Sequence, residues 1–342
     1  MPANNWFDIN GQDKDIVVST RVRLARNLKN FPFVGRLTAE QGEQIYNQIL
    51  SSLTAAPDLA QQFEVIDLTR LTDTEKIPLV EQRLISPQFA LGEAQNRVII
   101  SKDKGVSIMI NEEDHLRLQV FGAGLCLEEC LAQGIKLAGL VESSTEIAFS
   151  EKLGYLTACP TNLGTALRAS AMLHLPALTR RGDVEAISKI VSKLGYTIRG
   201  IYGEGSNSVG DMYQLSNQIT LGLDENLIIT NLKGFITDII AKERQAKAEM
   251  YARDPNGILD AIQRAVGVLT HCKLLPADEA MRLISLVRFG TALGVYEGID
   301  FDKLNRLIVE IQPAHIASGC EQRPTEQESN LCRARLVKAA LM

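Results

Sequence analysis

The sequence predicts an α+β fold in which strands and helices alternate over the first two-thirds of the chain and helices alone make up the rest. Three observations carry this. Period-two alternation runs through 116–121, 167–175 and 212–219, which is the signature of strands. Helical spacing marks 37–52, 124–140 and 183–194 between them, the first opened by a threonine cap and the last closed by Gly195. From Asp224 onward the strand signal stops, and 225–253, 258–271, 276–293, 300–311 and 328–341 read as helices with short loops. Asp254-Pro255-Asn256-Gly257 breaks that run, so the expected division is 1–253 and 254–342.

At 342 residues the chain is long enough for a large core and for two domains. Its 45% hydrophobic content and mean hydropathy near zero fit an ordinary globular protein. No apolar run approaches the roughly 18 residues of a spanning helix, and the first residues lack a secretory signal, so a cytoplasmic location is expected. A net charge of −5 argues against broad nucleic-acid binding while permitting a local arginine cluster around one anion. Cysteines 126, 130, 159, 272, 320 and 332 form no disulfide framework. Cys126 and Cys130 lack the second pair that a metal site needs, and read as two buried thiols one helical turn apart.

Taken in order, an apolar start at 16–18 delivers Arg21, Arg23 and Arg26, either a solvated basic face or an anion clamp. Residues 63–71 are strand-like, and 79–85 form a helix or strand edge that Ser86-Pro87 ends. Residues 97–101 and 106–111 read as a hairpin. Glu112, Glu113 and Asp114 follow, a solvated turn or a group facing a cation. The next strand then places His115, Arg117 and Gln119 on one face.

Short strands at 147–150 and 154–157 lead into TACPTNLGTALRASAMLHLP, residues 157–176. Here a polar turn of Thr161, Asn162, Gly164 and Thr165 precedes a strand with Arg168, Ser170, Met172 and His174 on one face and apolar residues on the other. His174 has no acid partner in sequence and reads as a packed or capping histidine. A strand at 197–203 runs into a glycine-rich loop carrying Glu204. The loop departs from the dinucleotide fingerprint at Ser208, and no GxxxxGK[ST] occurs anywhere in the chain.

Collected, STRVRLARN, NEEDHLR, CPTNLGTALRAS and RGIYGE stand in that order. They resemble the catalytic domain of the phosphagen (ATP:guanidino) kinases, and most closely the bacterial protein-arginine kinases of the McsB type. The resemblance covers nearly the whole chain. It implies an antiparallel sheet flanked by helices, followed by an all-α C-terminal module, and an enzyme using ATP and Mg²⁺.

It implies that Arg21, Arg23, Arg117, Arg168 and Arg199 hold the phosphates, within nucleotide-contacting segments formed by Ser19, Thr20 and Val22, by Ala169, Ser170, Ala171 and Met172, and by Gly200, Ile201, Tyr202, Gly203 and Glu204. Arg83 stands where the family often has a nucleotide-contacting histidine. Glu113 and Glu204 match the two carboxylates that orient the acceptor guanidinium, and Cys159 matches the thiol beside it. The chemistry agrees, since phosphoryl transfer needs alignment and charge neutralisation above all.

Only eighteen residues precede STRVR, fewer than in the small-guanidine enzymes, which favours an arginine presented on a protein over a free guanidino compound. A phosphagen kinase for a free guanidino substrate and a non-catalytic regulatory binding protein are the alternatives. The resemblance also implies protein substrates, a repressor, an activator protein and a Clp-type protease as partners, a stress-response setting, and a homodimer. Two departures stand out. Ala166 occupies the second glycine of the family's GTGLR turn. In the tail, Ser329-Asn330-Leu331-Cys332-Arg333-Ala334 lacks the first arginine and the aspartate of the family's phosphoarginine-reading RDxxRA.

Overall fold

The computed structural model describes residues 10–55, 61–92, 96–201, 208–318 and 324–342. Its strands are β1 (Val17–Arg26), β2 (Phe63–Asp67), β3 (Arg97–Ser101), β4 (Val106–Ile110), β5 (Leu116–Ala123), β6 (Phe149–Ser150), β7 (Gly154–Tyr155), β8 (Leu167–His174), β9 (Tyr196–Gly200) and β10 (Met212–Asn217). Its helices are α1 (Ala39–Thr54), α2 (Asp73–Glu81), α3 (Pro87–Leu91), α4 (Leu127–Glu142), α5 (Pro176–Arg181), α6 (Asp183–Lys193), α7 (Glu225–Arg253), α8 (Pro255–His271), α9 (Ala277–Ala292), α10 (Phe301–Glu310), α11 (Pro313–Ser318) and α12 (Glu326–Leu341).

Eight strands form one sheet in the order β2-β3-β4-β5-β1-β8-β10-β9, and β6 pairs with β7. The pairs β2/β3, β3/β4, β4/β5 and β5/β1 are antiparallel. This is the expected α+β architecture. The chain divides into two compact units, one drawn from Met1–Gly11, Ser19–Ser170 and Ser216–Lys233, the other from Gln12–Val18, Ala171–Leu215 and Gly234–Met342.

Local chemistry sets the element ends. Thr38 and Gln41 exchange hydrogen bonds in a capping box that starts α1. Gly124 turns at φ +71° before Cys126, so α4 begins at Leu127 rather than at 124. Asp67 ends β2 by accepting the Thr69 N–H at 3.0 Å, which makes the expected 63–71 strand shorter. Asp254 caps α8 by accepting the Gly257 N–H at 2.9 Å, with Pro255 at the first helical position. The Asp-Pro-Asn-Gly stretch thus breaks the helical run as expected, and the next helix starts at Pro255 rather than at 258.

One expectation about faces needs correction. The alternation in β5 and β8 predicted one apolar and one polar face. Gln119, Ser170, Met172 and His174 are all buried. Their burial shows that the second faces of these strands are covered at those positions as well. His174 is a packed histidine as expected, its Nε2 2.9 Å from Ser285 Oγ. Burial first, then the charges of Arg288, Lys247 and Arg180, hold its pKa well below the usual value.

The second unit builds its main core from the helical tail together with Val18, Met172 and Met212. Arg333 is buried there and donates to the carbonyls of Ile311 at 2.7 Å and Leu275 at 2.8 Å and to Asn330 Oδ1 at 2.8 Å. The surviving arginine of the altered tail motif thus braces α12 against its neighbours. Cys126 and Cys130 are buried with sulfurs 3.9 Å apart, two thiols one turn apart.

Candidate active site

Strand β1 alternates buried Val22 and Leu24 with half-exposed Arg21 and Arg23. Its register against β5 sets Arg23 opposite Gln119 and Ala25 opposite Arg117, and directly opposed residues project to the same face. Arg21 is close enough to Arg23, Arg83, Arg117 and Arg168 for all four charges to act on it. Desolvation first, then those four like charges, pull its pKa well below the usual arginine value. Arg23 falls to about 9, from burial first and then from Arg117 and Arg168. The Nε of Arg23 is buried with no hydrogen-bond partner among the described residues. Gathering guanidiniums this way is costly unless an anion joins them, and a polyphosphate is the ligand that relieves it.

Arg168 is held by its strand neighbours. The buried Asn217 accepts the Ala169 N–H at 2.8 Å and donates to the Leu167 carbonyl at 3.0 Å, clamping the backbone on both sides of the arginine. Ahead of it, Ala166 sits at φ +50° and is buried. Ala166 accepts the Ala25 N–H at 3.1 Å, and Thr165 Oγ1 accepts the Leu167 N–H at 3.3 Å. The turn keeps the left-handed backbone that suits glycine, with a methyl group in its place.

The acid run is not a solvated turn. Asn111 enters it at φ +58°. Asp114 is 2% exposed, and its Oδ1 accepts from Asn27 Nδ2 at 2.6 Å and from the Ala158 N–H at 2.8 Å. That clamp fixes the residue before Cys159 against the residue after Glu113. His115 Nδ1 accepts the Leu28 N–H at 3.0 Å and Nε2 lies 2.8 Å from the Pro32 carbonyl, which fixes a neutral tautomer; burial lowers its pKa.

Glu113 itself is exposed. Its carboxyl is hydrogen-bonded by Cys159, and Asn162 Nδ2 lies 3.5 Å from its Oε2. Desolvation first, then the charges of Asp114 and Glu112, raise its pKa. Cys159 Sγ lies 3.0 Å from Thr161 Oγ1. Glu112 turns the other way and grips Arg117, while Ser86 Oγ donates to its Oε1 at 2.6 Å. Burial opposes its ionisation, but Arg117 and the hydrogen bonds outweigh this and its pKa falls.

Of the expected residues, Arg21, Arg23, Arg83, Arg117, Arg168, Glu113 and Cys159 belong to one unit and form these two adjoining groups. Thr20 is fully buried and its hydroxyl donates to the Gly124 carbonyl at 2.7 Å, so it serves the sheet rather than a ligand. Val22, Ala169, Ser170, Ala171 and Met172 are all buried, Ser170 and Met172 on the strand face that carries Arg168 and the two alanines on the other. Ser19 is half-exposed at the start of the paired stretch of β1. Arg199 is exposed on β9 in the other unit, followed by half-buried Gly200 and Ile201. Tyr202, Gly203 and Glu204 lie outside the described residues. Sequence reasoning missed the roles of Asn27, Glu112, Asp114, Asn162 and Asn217. The only sequence signal for Glu112 was an acid five residues before Arg117.

Comparison with known proteins bears directly on this arrangement. The family described as ATP:guanido phosphotransferase, C-terminal catalytic domain, matches residues 44–246, and the protein-arginine kinase McsB C-terminal domain matches 255–342. Fold and site thus define an ATP:guanidino phosphotransferase. A protein-arginine kinase of Caldanaerobacter subterraneus subsp. tengcongensis is 44% identical over 96% of this chain and 98% of its own length. One from Clostridium novyi is 42% identical over 98% of each. The chain belongs to the protein-arginine kinase family. Lombricine kinase shares the fold, with a TM-score of 0.61 and 24% identity over 72% of this chain and 71% of that one.

Proposed function

We propose that this kinase transfers the γ-phosphoryl group of ATP to a guanidinium nitrogen of arginine side chains in proteins. The observation that carries the reading is the arginine cluster around Arg21 set beside a carboxylate, Glu113, whose pKa is raised. Arg21, Arg23, Arg117 and Arg168 neutralise the triphosphate and align its terminal phosphorus. Glu113 accepts two N–H groups of the acceptor and takes the proton released when the N–P bond forms and the β–γ P–O bond breaks. Cys159 favours the guanidinium charge from beside it. By resemblance Arg199 joins the phosphate-binding set and Glu204 is the second acceptor carboxylate.

Magnesium would arrive on the nucleotide, because this ion keeps several waters and binds through phosphates plus one or two carboxylates. Among the described residues no group of three or more His, Cys, Asp or Glu is gathered for a metal.

The same reading assigns phosphotransfer to 1–253 and a dimerising, regulatory role to 254–342, supported by family matches at 44–246 and 255–342. The homodimer is tested by light scattering on the full chain. The repressor, activator protein and Clp-type protease belong to this reading too, as does the stress setting. No helix among the described residues is long and apolar enough to cross a membrane. The free thiols of Cys126, Cys130, Cys159, Cys272 and Cys332 support a reducing, cytoplasmic location.

Labelled ATP supplied with free arginine or with an arginine-rich unfolded protein tests the reading. An acid-labile product on the protein is expected. Transfer to free arginine alone would replace the reading with a free-guanidino kinase, and no transfer would replace it with a binding protein.

A further inference from the structure

We propose that Asn217 and Thr220 are positioning residues for phosphoryl transfer, the span 217–220 backing both halves of the site and fixing the separation of Arg168 from Cys159 and Glu113. This rests on the reading above that Arg168 meets the phosphates and that Cys159 and Glu113 meet the acceptor guanidinium.

Strand β8 lies between β1 and β10 in the sheet. Alternate residues of a strand send their N–H and C=O groups to the same side. Ala166 turns its carbonyl to Ala25 of β1, so Leu167 and Ala169 turn theirs toward β10. At this rung their partner is a side chain. Asn217, the last residue of β10 and 2% exposed, accepts the Ala169 N–H on Oδ1 at 2.8 Å and donates from Nδ2 to the Leu167 carbonyl at 3.0 Å. A primary amide carries donor and acceptor in one plane, as a peptide unit does. Asn217 thereby holds the residues on either side of Arg168 and fixes the direction in which that side chain leaves the strand.

Thr220 does the same for the acceptor side. It is buried, its carbonyl accepts the Thr165 N–H at 3.1 Å, and its hydroxyl donates to the Leu163 carbonyl at 2.6 Å and lies 3.1 Å from the Thr161 carbonyl. Backbone meets backbone at Gly164, where φ is +102° and an added Cβ would run into the Thr220 carbonyl. From the turn so held, Thr161 Oγ1 lies 3.0 Å from Cys159 Sγ and Asn162 Nδ2 lies 3.5 Å from Glu113 Oε2.

The two anchors are tied to each other, because Asn217 Nδ2 also donates to the Ile219 carbonyl at 3.2 Å. Between them Gln218 and Ile219 are exposed, so the side chains that the span buries are the two polar ones. Burying polar groups is costly unless they are hydrogen-bonded, and a span whose task was packing would bury apolar side chains there. Here the bonds go to 161–169, the segment that carries the acceptor turn and Arg168. Transfer needs the reacting atoms aligned at about 3–3.5 Å, and a misplacement of about 1 Å costs about 10²-fold. One span behind both groups sets that alignment, while the contacts that bind ATP and acceptor lie on other residues.

The test measures transfer from labelled ATP to an arginine-containing peptide and to free arginine by the full-length protein. Asn217→Leu and Thr220→Val, which keep side-chain shape, are each expected to lower kcat about tenfold to 100-fold with ATP affinity changed less than about threefold. Thr220→Ser keeps the hydroxyl and is expected to stay within about twofold of wild type. The double variant N217L/T220V is expected to lose little more than the worse single one, because both act on one separation, whereas independent damage would multiply. Asn217→Ala, which leaves room for water to meet the two backbone groups, replaces the leucine variant if that one fails to fold, with thermal melts as the control. Losses that multiply, an unchanged kcat in both single variants, or Thr220→Ser as slow as Thr220→Val would overturn the positioning role alone. Transfer by wild type to neither acceptor would overturn the underlying reading, and this role with it.

Discussion

Glu112 holds Arg117 with both carboxylate oxygens 2.6 Å from Nη1, in a pair whose side chains are 7% and 22% exposed. An arginine expected to bind phosphate is thus paired with the protein's own carboxylate. Glu112→Gln removes that competing charge. Magnesium-free ATP is expected to bind about threefold to tenfold tighter, a shift of roughly 0.6–1.4 kcal/mol after allowing for partial solvent screening. The nucleotide-free protein should melt lower, since Arg117 loses its partner. Calorimetric titration checks the first effect, and an unchanged affinity would mean the pair does not compete with phosphate.

Glu113 is the proton acceptor in the proposed reaction. Glu113→Gln is expected to lower kcat by about 10²–10⁴-fold with ATP affinity changed less than twofold. Because desolvation and the neighbouring acids raise its pKa above the usual 4.5, the ionised base is lost as pH falls through that raised value. The acid limb of the rate profile should therefore lie above 4.5. A variant with near-normal turnover would remove Glu113 from the mechanism.

Ala166 carries a methyl group at φ +50°. A left-handed alanine costs about 1–2 kcal/mol, partly offset in a glycine variant by greater freedom of the unfolded chain. Ala166→Gly is expected to stabilise the protein by about 0.5–1 kcal/mol with little change in kcat. The urea midpoint measures it, and a lower midpoint would show that the methyl packs better than its backbone strains.

Glu243 lies fully buried on α7 and accepts the Ala177 and Leu178 N–H groups, both at 2.9 Å, with Lys247 Nζ 3.9 Å away. Burial outweighs these partners and raises its pKa from 4.5 to about 7. The folded state then holds a proton that the unfolded state has released, so this group's contribution falls as pH rises from 4.5 to about 7. The loss is about 1–3 kcal/mol. Glu243→Gln should flatten stability across that window, which denaturation at pH 5, 6, 7 and 8 would reveal.

Much of this was legible in local pattern. The motif order around Arg21, Glu113, Cys159 and Arg168 marks the chemistry because arginine forks and a carboxylate–thiol pair have few substitutes there. The helix expected at 225–253 stands in the structure as Glu225–Arg253. The site's supports were not legible. Asn27, Asp114 and Asn217 reach partners 44 to 129 positions away, as in the Asn27–Leu156 and Ala158–Asp114 bonds. Nothing local marks an asparagine whose partner is that distant. Asp254-Pro255-Asn256-Gly257 marked the break correctly, but the next helix starts at Pro255 rather than at 258, since a turn-forming sequence also makes a good helix start.

The sequence by itself determined the α+β class, the switch to helices after Asp224 and the family. These follow from side-chain period and from residue type, which are properties of short stretches. Only the tertiary structure decided that Glu112 faces Arg117 while Glu113 faces Cys159, that β5 and β8 are covered on both faces, and that Ala166 keeps a left-handed turn. Those outcomes depend on which distant backbone and charge each residue meets, because burial and electrostatic pairing are set by neighbours in space.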